Sequence, residues 1–237
     1  MSESTYTQLL DLACGAFLLA AVVVLWRREV AAIVRIFAFQ GFALAALPLL
    51  LGLHEERWDL FAVAFGLGVL RAGVLPYLMR RALTAVATPA GAEQAEEHHY
   101  EEDVSEARET QPLVNVAASL LTAAVLTLLA YAVARPLVAL DPTPATRALP
   151  VGLAVVLIGF FVLATRRRAL AQVVGFLLLD NGITATAFLA ASGVPLIVEL
   201  SVSFDVLLAV LVLQVLTTRM RAAFGTTDID DLRELHD

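Results

Sequence analysis

The chain has 237 residues, of which 59% carry apolar side chains and 16% are charged, and its mean hydropathy is +0.80. Soluble domains contain roughly 45–50% apolar residues, so this composition excludes a soluble globular domain and indicates an integral membrane protein. The net charge is -7, and the sequence contains no stripe of basic residues. We therefore expect no nucleic acid among its partners.

The apolar residues occur in blocks of about twenty, the length at which an α-helix crosses a hydrocarbon core of about 30 Å. We predict an all-α, polytopic membrane protein with about seven transmembrane helices in the lipid bilayer. The first block has no basic residue before its apolar core, which predicts an uncleaved helix and not a signal peptide. The predicted spans are Thr7–Trp26, Val30–Gly52, Trp58–Met79, Leu113–Ala134, Leu149–Thr165, Ala169–Ala191 and Val194–Thr217.

These spans form a single membrane domain over residues 1–237. Residues 1–87 hold the first three helices, 88–112 an acidic loop, 113–218 the last four helices and 219–237 a tail. The acidic loop is bracketed by prolines and poor in large apolar side chains, so we predict an exposed cytoplasmic linker.

Two connections between spans have distinctive compositions. In the acidic loop, His98 and His99 stand beside several glutamates, a pattern open to metal binding. A solvated charge run is the favoured interpretation, because adjacent histidines on a flexible loop are not preorganised, and we expect no metal there. The segment 135–150 is rich in proline and is predicted to be a turn-forming external loop.

Arginines cluster at alternate connections, and no lysine occurs in the chain. The positive-inside rule assigns the connections with arginine to the cytoplasm. We therefore predict a multi-pass protein with its N-terminus outside and its C-terminus in the cytoplasm. The clusters are Arg27 with Arg28, Arg80 with Arg81, Arg166 to Arg168, and Arg219 with Arg221.

Two stretches suggest a weak internal repeat. FQGFALAALPLLLG in the second span and DNGITATAFLAASG in the sixth align without a gap, pairing Gln40 with Asn181 and Gly41 with Gly182. This alignment predicts a possible duplicated three-helix unit. Chance similarity is the alternative, because glycine is common in membrane helices.

Charged and amide side chains lie near the centres of several predicted spans. Each central charge costs about 2.5–3.5 kcal/mol on insertion, so such groups need a partner, water or a function. Because consecutive spans run in opposite directions, residues midway along them lie at one depth, and we predict a polar layer at the membrane midplane. Its members are Gln40, Arg71, Asp180, Asn181 and Asp205.

Two roles are open for this layer. In one, Asp180 and Asp205 accept and release ions in a relay; in the other, Arg71 forms a buried ion pair with Asp180 or Asp205 that holds helices together. Glu199 lies about 9 Å from Asp205 along its helix and roughly 120° around it, so the two cannot face the same neighbour. Arg35 is predicted to reach the cytoplasmic interface.

The sequence contains no cysteine or histidine cluster of the kind that binds iron–sulfur centres or haem, no phosphate-binding glycine loop and no nucleophile motif. We therefore expect no catalytic centre and no cofactor in this chain.

Three stretches near the C-terminus, GFLLLDNGI, GVPLIVELSVSFDVLLAV and FGTTDIDDLRELHD, resemble the hydrogenase-4 component E family. That family supplies membrane subunits of formate-hydrogenlyase-type complexes, and LRAGVLPYLMRRAL resembles the basic residue followed by proline in its third helix. The family usually has Glu where Asp180 stands and Lys where Arg71 stands. Since arginine holds its proton more tightly than lysine, a fixed counter-charge is expected at Arg71.

The last helices of that family resemble the small K-type subunit of complex I and the C subunit of multisubunit cation/proton antiporters. This resemblance implies that Asp180 and either Asp205 or Glu199 lie on a polar axis, with Asn181 and Gly182 completing the motif. It implies a non-catalytic subunit of a complex-I-related redox assembly in a bacterial or archaeal inner membrane. The expected partners are antiporter-like and other membrane subunits, and the expected role is proton or sodium translocation coupled to electron transfer. A purely structural scaffold and a stand-alone small ion transporter are the alternatives.

Overall fold

The protein is described here from a computed structural model that covers residues 1–27, 29–87, 115–166 and 169–191. Every regular element in these ranges is a helix, and six helices are long and apolar enough to cross a membrane. This confirms the predicted all-α, polytopic membrane protein. The predicted seventh span, the acidic loop and the tail lie outside the described residues.

The helices follow the predicted spans closely, and the third span consists of three consecutive helical segments. They are α1 Glu3–Trp26, α2 Val30–Glu55, α3 Trp58–Leu67, a π-helical segment Gly68–Val74, α4 Leu75–Ala87, α5 Val116–Leu140, α6 Pro144–Thr165 and α7 Ala169–Ala191.

The connection between α5 and α6 is much shorter than the loop predicted over 135–150, and that prediction was wrong. α5 continues past Pro136, and α6 begins at Pro144. Thr143 and Thr146 form a capping box, in which each hydroxyl accepts a hydrogen bond from the other residue's backbone N–H. Proline suits the first helical turn, where its missing N–H has no helical partner, and neighbouring helices compensate for proline inside membrane helices.

The third span departs from α-helical register where it carries its central arginine. Within Gly68–Val74 the hydrogen bonds reach one residue further back, and the N–H of Leu75 donates to the carbonyl of Leu70. Pro76 follows and removes a backbone donor from the ladder. The wider turn alters which residues share a face, and such segments are frequent at functional sites. Arg71 lies inside this segment.

The described helices form two groups that pack against each other. The first group contains α1, α2 and the third span, and the second contains α5, α6 and α7; α1 contacts α6, and α2 contacts α7. One continuous apolar core runs through both groups. The polar residues discussed below lie where the groups meet.

Glycines let neighbouring helix backbones approach closely at two contacts. A Cβ atom added to Gly182 in α7 would lie 2.5 Å from the backbone nitrogen of Val156 in α6. A Cβ atom added to Gly41 in α2 would lie 2.7 Å from the carbonyl carbon of Arg71. Small residues at helix contacts are typical of membrane bundles, where backbone packing stabilises association.

The same two glycines bear on the predicted repeat. Gly41 contacts the helix that follows its own, whereas Gly182 contacts the helix that precedes its own. The two aligned glycines therefore meet different neighbours, and the duplicated three-helix unit stays a prediction.

Candidate functional site

A cluster of polar side chains lies at the contact between the two helix groups, centred on Arg71. The π-helical segment positions Arg71, α7 supplies three of the members, and α2 supplies one. Each member is buried, and counted over backbone and side chain together none exposes more than 7% of its surface. The cluster consists of Gln40, Arg71, Asp180, Asn181 and Thr184.

The Arg71 guanidinium makes three contacts with α7. It forms an ion pair with the carboxylate of Asp180, and its Nη1 donates a hydrogen bond to Oδ1 of Asn181. Its Nη2 donates to Oγ1 of Thr184 at 3.0 Å. A planar guanidinium presents several donors in fixed directions, so one side chain can engage three acceptors on about one turn of a helix.

A line of hydrogen bonds continues from Arg71 to α1. Nδ2 of Asn181 donates to Oε1 of Gln40 at 3.1 Å, and Nε2 of Gln40 donates to the carbonyl oxygen of Phe17 at 3.4 Å. All donors point away from the guanidinium, an arrangement in which neighbouring bonds polarise one another. Arginine and the two amides keep their protons at ordinary pH, so this line orients and polarises groups but does not itself carry protons.

Asp180 is the member of this described cluster that can gain or lose a proton. Its side chain is 10% exposed, whereas that of Arg71 is 1% exposed, so the carboxylate lies at the rim of the cluster and the guanidinium inside it. While Asp180 is ionised, the pair has no net charge. Protonation of Asp180 would give the pair a net charge of +1 in a medium of low dielectric constant.

The structure brings together four residues of the predicted polar layer, and it pairs Arg71 with Asp180. The other predicted carboxylates, Asp205 and Glu199, lie outside the described residues. Arg35 is exposed on α2 near the end predicted to face the cytoplasm. The four residues that meet are Gln40, Arg71, Asp180 and Asn181.

Sequence reasoning missed Thr184 and the carbonyl of Phe17. Thr184 had a usable signal, because it stands four residues after Asp180 and three after Asn181 and therefore shares their helix face. The sequence carries no signal for the Phe17 carbonyl, because every residue has the same backbone group. Its role depends on where α1 packs against α2.

Among the described residues, no group of three or more His, Cys, Asp or Glu side chains is close enough to hold a metal ion. The guanidinium of Arg71 would in addition repel a cation bound at Asp180. The described cluster therefore offers one carboxylate beside a fixed positive charge.

No protein-family model matches the chain, and no solved structure matches it. Hydrogenase-4 component E of Escherichia coli strain K12 and that of Shigella flexneri are each 31% identical to it over 115 residues, which make up 48% of this chain and 53% of those proteins. This similarity is partial. The uncharacterized protein Rv0085 of Mycobacterium tuberculosis is 50% identical to the chain over 237 residues, the full length of both proteins. The chain therefore belongs to the same family as this mycobacterial protein.

Proposed function

We propose that this protein is a non-catalytic membrane subunit of a hydrogenase-4-like, complex-I-related redox complex, in which Asp180 takes part in proton or sodium translocation. Six membrane-spanning helices and the partial similarity to hydrogenase-4 component E support membership of a membrane complex. Antiporter-like and other membrane subunits are the expected partners.

The buried pair of Arg71 and Asp180 is the observation that carries the proposal. Charged groups inside a bilayer are costly and are found mainly where they serve ion pathways. Replacing a buried ion pair by apolar residues of similar volume is often neutral or stabilising, so packing alone does not require these charges. A function that uses the two charges gives a reason for having them.

Protonation of Asp180 can act at a distance even if the ion does not pass through this subunit. Protonation of Asp180 changes the net charge of the pair by one unit, which changes the energy of another charge about 10 Å away by roughly 2 kcal/mol at an effective dielectric constant of about 20. That energy corresponds to more than a tenfold shift in a protonation equilibrium. Carboxylates in neighbouring subunits are the expected receivers of this signal.

A structural scaffold is the second candidate, favoured by the three simultaneous contacts of Arg71 with α7. In that role the cluster ties the two helix groups together and seats antiporter-like subunits. Neutralising Asp180 would then impair assembly and leave ion translocation intact in any complex that still forms.

The test is the substitution Asp180→Asn in the intact complex, with assembly measured on native gels and ion translocation measured in membrane vesicles. We expect translocation to fall at least tenfold while assembly and electron transfer continue. Asp59→Asn is the matched control, because Asp59 is an exposed carboxylate at the start of α3 that pairs with Arg57 at 2.5 Å. The control should behave as wild type.

Normal translocation by the assembled Asp180→Asn variant would refute the proposed role and leave the scaffold. If that variant fails to assemble, the double variant Arg71→Met with Asp180→Leu, which keeps neither charge of the pair, decides between the two functions. The scaffold predicts normal translocation by the assembled double variant, whereas the proposed role predicts its loss. Asp180→Glu is the positive control for both functions. Glutamate keeps the charge and stands at this position in the resembled family, so the complex should assemble and translocate. Assembly of the Glu variant without translocation would also contradict the proposal.

A further inference from the structure

One face of α1 points away from the other described helices and carries polar residues within the predicted membrane span. Its residues recur at intervals of three or four positions and so form one stripe along the helix. All of them are exposed. This α1 outer face consists of Gln8, Asp11, Leu12, Gly15 and Leu19.

The depth of Asp11 follows from the polar cluster. Because the Phe17 carbonyl accepts a hydrogen bond from Gln40, α1 crosses the level of the cluster at Phe17. Asp11 precedes Phe17 by six residues, about 9 Å along the helix axis. With the cluster at the midplane of a hydrocarbon core about 30 Å thick, Asp11 lies about 6 Å inside the apolar region. Trp26, at the opposite end of α1, is 61% exposed, as is typical of an interfacial tryptophan.

Asp11 is not satisfied by the described part of the chain. No hydrogen bond or ion pair of its side chain occurs among those residues. A carboxylate in contact with lipid at this depth is strongly disfavoured, and charged side chains in membrane helices normally face a partner or water. Its short side chain reaches the headgroup region poorly compared with lysine or arginine.

Gly15 lies one turn further along the same face. A Cβ atom added to it would meet nothing within 4 Å, whereas at Gly41 and Gly182 it would collide with a neighbouring backbone. Glycine weakens a helix interior relative to alanine, and in membrane helices it permits close approach of a second helix. No contact in the described part of the chain explains glycine at position 15.

We infer that the α1 outer face binds a membrane helix of another subunit, which places an arginine or lysine opposite Asp11 and packs its backbone against Gly15. The negative charge of Asp11 determines which membrane helix can bind to this face. The chain's own predicted seventh span contains Glu199 and Asp205 and no basic residue, so it does not complement Asp11. A second copy related by two-fold symmetry would bring Asp11 near its own counterpart.

This inference rests on the proposed function, because it assigns a contact within the same complex. Its first test is Asp11→Leu in the full chain, expressed with all subunits of the complex. Leucine facing lipid favours membrane insertion, so the amount of inserted chain should not fall. The amount of assembled complex on a native gel should fall at least tenfold.

Glu3→Leu is the matched control. Glu3 is exposed on the same helix but lies about 12 Å further out than Asp11, beyond the apolar region. Its substitution should leave assembly unchanged. Wild-type assembly of the Asp11→Leu variant would overturn the inference.

A photo-reactive residue at position 12, which is 69% exposed, identifies the occupant. We expect one cross-linked peptide, from a membrane helix of a different subunit, with an arginine or lysine within one turn of the linked position. Exchanging the charges, with Asp11→Arg here and aspartate in the partner, should restore assembly that either change alone abolishes. Cross-links only to lipid, to a second copy or to residues 194–217 would refute the inference.

The two proposals fail in different ways. If the wild-type chain runs without other subunits on a native gel, the proposed function fails. If it runs in the complex and Asp11→Leu has no effect, only the assignment of the α1 outer face fails. Ion translocation by Asp180→Asn is measured separately from both.

Discussion

Arg71 combines a charge with directed hydrogen bonds in a way that lysine cannot. It pairs with Asp180 and also donates to Asn181 and Thr184, so its planar fork fixes the rotation of α7 relative to the third span. Lysine presents a compact charge on a flexible stem. The arginine therefore supplies both compensation of the carboxylate and positioning of the helix.

Removing the charge of Arg71 alone should be far more damaging than removing both charges. Arg71→Met leaves a buried carboxylate without its ion pair, at an expected cost of about 3–5 kcal/mol. The double variant Arg71→Met with Asp180→Leu should recover most of that loss. Thermal unfolding of the purified chain in detergent measures both. Equal destabilisation of the single and double variants would show that the charges are not its source.

Arg71→Lys separates the charge from the directed hydrogen bonds. The ion pair with Asp180 can form, but lysine cannot donate to Asn181 and Thr184 in the same geometry. We expect about 1–3 kcal/mol lower stability and retained assembly. Unfolding temperatures and native gels measure these effects, and stability equal to wild type would argue that the fork geometry contributes nothing.

At the level of the helices, close packing of α6 on α7 holds the cluster's acceptors in place. Asp180, Asn181 and Thr184 all lie on α7, and Gly182 among them contacts the α6 backbone. The polar side chains of this part of α7 face Arg71, and the glycine faces α6. Any shift of α7 away from α6 would therefore also move the acceptors.

Substitution of alanine for glycine should change the free energy of unfolding differently at two positions. In Gly182→Ala the added Cβ meets the Val156 backbone at 2.5 Å, and we expect a loss of about 1–3 kcal/mol from overpacking. Gly73→Ala is the matched control, because its Cβ meets nothing within 4 Å and alanine favours helices. Thermal unfolding compares them, and equal effects would contradict the packing argument.

Arg166 links the two helix groups at the end of the bundle that carries the arginines. It is buried, and its Nη2 donates to the carbonyl of Leu25 in the last turn of α1 at 3.4 Å. A cation at a helix C-terminus is stabilising, so Arg166→Met should lower stability by about 1–2 kcal/mol. Arg147→Met, at an exposed position, should be neutral. Chemical denaturation of the two variants measures the difference.

In the whole molecule, the two helix groups meet through residues that the weak repeat alignment pairs. Gln40 and Asn181 are aligned in sequence, and their amides form a hydrogen bond across the contact. In parallel repeats related by a two-fold axis along the membrane normal, two equivalent residues that contact each other lie beside that axis. The hydrogen bond fits such an arrangement, whereas the different neighbours of Gly41 and Gly182 do not.

Membrane orientation gives a prediction for the whole molecule. With the arginine-bearing connections in the cytoplasm, the N-terminus lies outside. In a Cys14→Ser background, Ser4→Cys should react with a membrane-impermeant maleimide in intact cells, and Glu29→Cys should react only after permeabilisation. Both positions are exposed. The reverse labelling pattern would contradict the predicted orientation.

The sequence by itself determined the membrane class and the six spans that the structure describes, because hydropathy is a property of each segment. The common depth of the polar residues at the membrane midplane stays a prediction, although four of them meet in one cluster. The sequence-based prediction was wrong at the connection from α5 to α6. Thr143 caps a helix that begins at Pro144, within the segment predicted to be a loop. The prediction also gave no indication of the π-helical segment around Arg71, although glycine and Pro76 stand there.

Only the tertiary structure decided that Arg71 pairs with Asp180, that Thr184 joins them and that the line of amides ends on Phe17. These partners are far apart in the chain, and Arg71 and Asn181 are separated by 110 positions. Lipid and protein interior are equally apolar, so hydropathy does not mark which face of a membrane helix turns inward. Helix rotation and spacing are set instead by backbone contacts at glycines such as Gly41 and Gly182, and those contacts depend on which helices become neighbours.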